Sequence, residues 1–256
     1  MTLIQNQMST YLSAYFHTER YPIDEQGGIW HPTTRPIHRL GLALEPDAGL
    51  LEWVSQGKPD ALWLHRPWNL DLSALPTGVG VLTHHLPFDE TLTLGYNLYL
   101  AGKLGLSNLE EIGYKQAPGL PPRAIGMLGE TTSADWFEKL TLEFEGKDGS
   151  NLLVEVLQQE ISHQTTTRIA VVGAMTEALV REAAERGATV YVTGQYRQPA
   201  RRAVEETGIH VVEIGHRASE EWGLRSLAGV LRERWPQLET ATYPSFLTNS
   251  AEALSA

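Results

Sequence analysis

The chain has no cysteine among its 256 residues. Disulfides, thiolate-bound zinc and cysteine nucleophiles are excluded, so any metal site must use nitrogen and oxygen donors. Positive charge is also scarce: 20 Lys and Arg stand against 31 Asp and Glu, a formal net charge of −11. Unspecific nucleic-acid binding needs cations along the phosphates, and this composition argues against it, although Arg197, Arg201 and Arg202 form a local basic cluster. Long apolar runs are missing too. Beyond residue 18, the longest stretch free of Asp, Glu, Lys and Arg, residues 72–88, carries Pro76, Pro87, His84 and His85, and does not read as a membrane span. Residues 1–16 lack a basic leader, and Gln5, Asn6, Gln7 and Ser9 interrupt their apolar positions, unlike a signal peptide. A cytoplasmic location with no membrane contact is the expectation. Gly173-Ala174-Met175-Thr176 has neither the glycine spacing of a dinucleotide loop nor the lysine of a phosphate loop. No Gly-x-Ser-x-Gly elbow is present.

What is present is a 42% hydrophobic chain, enough for one large domain or two compact ones. Two segments read alike. Residues 40–44 form an apolar strand, Asp47 is positioned to cap a helix over 48–56, Gly57 to end it, and residues 61–64 to form the next strand. Residues 169–172, Thr176, a helix over 177–186, Gly187 and a strand over 189–192 repeat that order. The spans 39–65 and 168–194 are equal in length, and each leads through a Thr-Gly turn to a further strand. The pattern predicts a duplicated β-α-β-α-β unit, an α/β fold with parallel sheets covered by helices. Residues 1–113 would form a first lobe and 131–242 a second, with the C-terminal helix packing back on the first. The Pro- and Gly-rich residues 114–130 would be the linker, and 243–256 a fraying tail. Within 131–160, Ser133-Ala134-Asp135-Trp136 opens like a helix, whereas Lys147-Asp148-Gly149 suits a hairpin turn.

Ligands gather beyond the carboxyl ends of parallel strands, and the histidines fall there. His65 follows 61–64. A His-x-x-x-acid element occurs after each third strand, as His85 to Asp89 and as His216 to Glu220. Imidazole and carboxylate are the donors that a protein-bound divalent cation takes. His17, His31, His38, His163 and His210 have no convergent partners in this pattern. Trp63, Trp68 and Trp222 flank the candidate site, either as core and pocket wall or as a surface for stacking a nucleotide base.

Read together, these segments resemble the Nif-three-like family (NGG-interacting factor three), whose members are also known as GTP cyclohydrolase type 2 homologs. Leu62-Trp63-Leu64-His65-Arg66-Pro67 is similar to its strand ending in His-His-Pro, and His85 to Asp89 to its His-Thr-Asn-Leu-Asp. Residues 101–106, Arg123-Ala124-Ile125-Gly126, Val192-Thr193-Gly194 and 214–220 match further signatures in order. The resemblance implies two intertwined α/β domains with mixed, mostly parallel sheets, in a ring-shaped homohexamer. It also implies a dinuclear metal centre of zinc, iron or manganese, one or two ions per chain, on His65, Asp89, His216 and Glu220 with His85 beside them. Paired ions of this kind support hydrolysis, here of a nucleotide or another phosphorylated or heterocyclic small molecule. The other reading is a metal-binding or ligand-sensing scaffold without turnover. Three departures bear on the choice. Arg66 replaces the family's second histidine and has no lone pair for a metal. Gln195 replaces an acid, and a nearby histidine is lost in Tyr196-Arg197-Gln198-Pro199. Arg66 either contacts an anion or forms a plain salt bridge, and His84 is the one neighbouring residue that offers a replacement nitrogen.

Overall fold

A computed structural model describes residues 2–144 and 166–244. Two five-stranded mixed sheets organise it. The chain divides into one unit made of Met1–Phe88 with Leu224–Ala256 and another made of Asp89–Gly223. The first sheet has the order β1-β4-β3-β2-β10, from β1 (Gly28–His31), β2 (Arg39–Ala43), β3 (Ala61–Leu64), β4 (Gly80–Thr83) and β10 (Glu239–Thr242). Strands β10, β2, β3 and β4 run parallel, and β1 closes the edge antiparallel to β4. The second sheet has the order β5-β6-β7-β8-β9, from β5 (Ser107–Lys115), β6 (Arg123–Thr131), β7 (Thr167–Val172), β8 (Val190–Thr193) and β9 (His210–Glu213). Here β5, β6 and β7 are antiparallel neighbours, and β8 and β9 continue in parallel.

The division differs from the lobes expected at 1–113 and 131–242. Residues 114–130 are mostly paired strand, the end of β5 and nearly all of β6, and not a linker. Their prolines Pro118, Pro121 and Pro122 all fall in the short connection between the two strands, where no ladder N–H is needed. Composition alone could not separate a proline-bearing hairpin loop from an interdomain linker.

The repeat is visible in the register. Leu40 opposes Ala61 in the first sheet and Ile169 opposes Val190 in the second, at the same separation in sequence. Helix α1 (Gln5–Tyr15) precedes the first copy, and α2 (Leu50–Gly57) makes its first crossover. Leu62 and Leu64 pack with Leu50, Val54, Val79 and Val81, while Trp63 takes the opposite face by strand alternation. Burying each such aliphatic side chain contributes about 1.5–3 kcal/mol. Asp47 Oδ1 accepts from the Gly49 and Leu50 amides at 2.9 and 3.0 Å, but the helix starts later than expected, with Gly49 and not Asp47 at its N-cap. The helix ends at Gly57 as expected, although Lys58 and not the glycine takes the left-handed position at φ 48°. The connection over residues 65–79 contains no helix, so the first copy is β-α-β-β.

In the second unit α3 (Leu86–Leu92), α4 (Leu98–Leu104) and α5 (Trp136–Phe144) precede the second copy; α3 itself spans the division between Phe88 and Asp89. The copy keeps both crossovers, α6 (Glu177–Glu185) and α7 (Arg201–Thr207). Thr176 caps α6 through the Leu179 amide at 3.2 Å, and Gly187 follows it at φ 84°. Ile169, Val171, Val190 and Val192 face α4 and α5, whereas Ala170, Val172 and Tyr191 face α6 and α7. Helix α8 (His216–Arg234) follows β9. The helical start at Trp136 agrees with one expectation for 131–160. The turn expected at Lys147-Asp148-Gly149, His163 and residues 245–256 of the tail lie outside the described residues. No helix among the described residues is long and apolar enough to cross a membrane.

Gly27 sets the approach of the chain to β4. Its φ is 74°, and a Cβ there would stand 2.2 Å from the Thr83 carbonyl oxygen. Gly27→Ala is expected to lower stability by about 1–3 kcal/mol, read as a fall in the urea midpoint at unchanged slope.

Candidate metal centre

The strand β3 is buried on both faces, so the first side chain able to present a donor beyond it is His65. The His65 amide continues the ladder to the Ala43 carbonyl at 3.1 Å, and its carbonyl accepts from Thr83 Oγ1 at 3.2 Å. By alternation its ring lies on the Trp63 face, 6.4 Å from that indole and nearly parallel to it. The His65 Nδ1 sits 3.4 Å from the His84 carbonyl oxygen. A proton on Nδ1 leaves Nε2 as the ligand nitrogen.

His85 lies two residues beyond β4, its ring 4.8 Å from that of His65 and edge-on to Trp68 at 5.2 Å. The third member is placed by α3. Pro87 is tolerated in the first helical turn, where amides have no intrahelical partner. Phe88 is fully buried against Trp63 and His65, at 4.9 and 5.0 Å between rings. Asp89 is the next residue of that anchored turn. His65, His85 and Asp89 each offer one ligand atom, and these atoms lie within 4.8 Å of one another. Donors around a tetrahedral cation are roughly 3.5 Å apart, so the three residues are near enough together that they could hold a metal ion. Two imidazoles and a carboxylate are a donor set that zinc, iron and manganese accept, and they fit a divalent cation.

His84 is not among them. It is fully buried, its Nδ1 accepts from Trp63 Nε1 at 3.2 Å, and its ring lies 5.1 Å from that of Phe16. Burial depresses its pKa to about 3, so the ring is neutral. Its ring is committed to the core contacts with Trp63 and Phe16 and does not join the cluster of His65, His85 and Asp89. Arg66 itself is engaged through Nε by Glu45 Oε2 at 3.1 Å.

His216 and Glu220 form a pair of their own in the second unit. His216 opens α8, and its Nε2 lies 3.1 Å from Oε1 of Glu220, one turn on. Glu220 is buried and His216 exposed. The doubled His-x-x-x-acid elements are therefore not equivalent by register. Ala61 opposes Gly80, but Val190 opposes His210, a separation one residue longer. His85 precedes its helix, whereas His216 is the first residue of its own. Gly194 occupies the place corresponding to His65, and a Cβ there would stand 3.5 Å from the His216 Cα.

Other candidates resolve into structural roles. Trp63 and Trp222 are core residues, and Trp222 Nε1 donates to Glu143 at 3.1 Å; Trp68 remains largely exposed. Gln195 accepts from Arg197, while Arg201 and Arg202 pair with Glu205 and Glu206, which neutralises the basic cluster. One neighbour escaped the sequence reading: Glu25 Oε2 lies 3.9 Å from His85 Nδ1.

Removing the acceptor in His84→Phe leaves a buried indole N–H, at a cost of about 1–3 kcal/mol. Metal content per chain, measured by elemental analysis, is expected to match the wild type; a loss would return His84 to the ligand set.

A family model described as Duf34/NIF3 (NGG1p interacting factor 3) matches residues 71–248. A Pyrococcus horikoshii protein named GTP cyclohydrolase 1 type 2 homolog is 27% identical over 251 residues, covering 90% of this chain and 94% of its own length. A Deinococcus radiodurans protein of the same name is 23% identical over 249 residues, covering 90% and 89%. Among solved structures, TTHA1606 from Thermus thermophilus shares the fold with a TM-score of 0.65 at 20% identity, over 95% of this chain and 100% of that one. With well over half of its length matched by the family model, the chain belongs to the Duf34/NIF3 family.

Proposed function

We propose that this protein is a divalent-metal-dependent hydrolase acting on a nucleotide or another phosphorylated or heterocyclic small molecule. The observation that carries the reading is the convergence of His65, His85 and Asp89 at the carboxyl edge of a parallel sheet. His216 and Glu220 are proposed as further ligands, giving one or two ions of zinc, iron or manganese per chain. A cation held by these residues supplies Lewis acidity, lowering the pKa of water and polarising the bond to be cleaved. Arg66, adjacent to His65, is the proposed anion contact, because its planar guanidinium suits phosphate or carboxylate oxygens. The exposed ring of Trp68, seated on His85, offers an apolar face to a planar heterocycle. The reading includes a cytoplasmic homohexamer that needs neither membrane nor nucleic acid.

A second reading is a metal-binding or ligand-sensing oligomer without turnover. The Arg66–Glu45 pair favours it, since a cation stands where the family has a second histidine. Hydrolysis of nucleoside triphosphates by wild type and Glu220→Ala separates the two. An enzyme using this site loses activity by at least tenfold, and a sensor shows no activity to lose.

Metal analysis tests the shared premise. Wild type incubated with zinc or manganese is expected to retain the ion through gel filtration, and His65→Ala to lose it. No retained metal in wild type overturns the proposal. Arg66→His is expected to raise the number of ions held per chain, and an unchanged number would remove Arg66 from the ligand sphere.

A further inference from the structure

Glu25 stands beside His85 for a reason that the backbone explains. Strand β1 pairs antiparallel with β4, and Gly28 is opposite Thr83. Residues just before Gly28 therefore run alongside those just after Thr83, which are His84 and His85. Gly27 allows this approach, since any Cβ there would collide with the Thr83 carbonyl and come within 2.9 Å of the His84 Cα. The segment is also held from behind. The Glu25 amide donates to the Pro22 carbonyl at 2.9 Å, and Gln26 Nε2 donates to the Tyr21 carbonyl at 3.0 Å. The carboxylate thus arrives 3.9 Å from His85 Nδ1 on an ordered turn.

We infer that Glu25 is a positioning residue for His85: its carboxylate holds the proton on Nδ1 and so directs Nε2 toward the cation. This rests on the metal reading above and adds a residue to it. A metal-ligating imidazole commonly donates its other N–H to a carboxylate or carbonyl, which fixes the tautomer and raises the basicity of the ligand nitrogen. His65 has the carbonyl form of that arrangement through the His84 oxygen, and Glu25 gives His85 the carboxylate form. At 3.9 Å the two atoms stand beyond hydrogen-bonding distance, and the inference requires a rotation of either side chain that brings Nδ1–H and the carboxylate to about 2.8 Å.

The test is zinc affinity of the full chain, measured by competition with a chromophoric chelator, in wild type, Glu25→Gln, Glu25→Asp and His65→Ala. Glu25→Gln is expected to weaken binding about 10- to 100-fold with the saturating number of ions unchanged, and Glu25→Asp to recover part of the loss. Imidazole nitrogen shifts in the metal-free protein give a second readout, with His85 as the Nδ1–H tautomer in wild type and mixed tautomers in Glu25→Gln. Affinity within twofold of wild type, or a tautomer unmoved by the substitution, overturns the inference. A drop in saturating ion number also overturns it, because Glu25 would then be a ligand. If His65→Ala binds zinc as wild type does, the metal reading fails; if only Glu25→Gln is silent, this inference alone fails.

Discussion

The double burial of β3 governs where chemistry can begin in the first unit. Ala61, Leu62, Trp63 and Leu64 have no exposed side chain on either face of the sheet. A strand of that kind carries no unpartnered polar group along its length, because each would cost several kcal/mol without a hydrogen bond. Polar function is therefore pushed to the carboxyl end, where the ladder runs out and loops begin. His65 is the first residue past that limit. The parallel register brings the end of β4 beside it, so His84 and His85 are delivered to the same edge. Both lie past the end of β4, and they part there: the His84 ring goes into the core, where it accepts from the indole of Trp63, and the His85 ring packs against that of His65.

Much of this was legible. Apolar runs bounded by caps and glycines marked β2, α2, β3, β7, α6 and β8, because each element is buried enough for periodicity to report its faces. His65 and His85 were legible as imidazoles at strand ends and Asp89 as the acid four residues after His85, and the structure brings the three together. Glu25 was not, since its place depends on the antiparallel pairing of β1 with β4, an encounter between segments far apart in sequence with no hairpin turn to announce it. The division of the chain was hidden for a related reason. Prolines advertise a break in the backbone but do not say whether a hairpin or a domain boundary surrounds it. Arg66 gave two readings in sequence, and its partner Glu45 became visible only once β2 and β3 were side by side.

The one-residue difference between the repeats has a chemical counterpart. In strand register Glu220 corresponds to Glu90 rather than to Asp89. Glu90 is also buried, but it is held by Arg123 at 2.7 Å and Lys115 at 3.2 Å. Burying a carboxylate without such cations is costly. The two copies thus keep an acid at the same helical position and satisfy it differently, one with cationic side chains and one with an imidazole. In this chain Arg123, the arginine of the segment 123–126, serves that structural duty.

The placement of β10 has a consequence for synthesis. It joins the first sheet alongside β2 from the far end of the chain, so on the ribosome that sheet emerges one strand short. Its partner edge on β2 stays open while the whole contiguous second unit is made. Nascent domains tend to fold in order of emergence, and an open parallel edge is a template for pairing with other chains. Here the later-encoded unit has all of its strands first, and the earlier one is sealed last. Truncation by a ribosome stalled before residue 239 would release a chain with that edge uncovered, a natural substrate for chaperones and proteases.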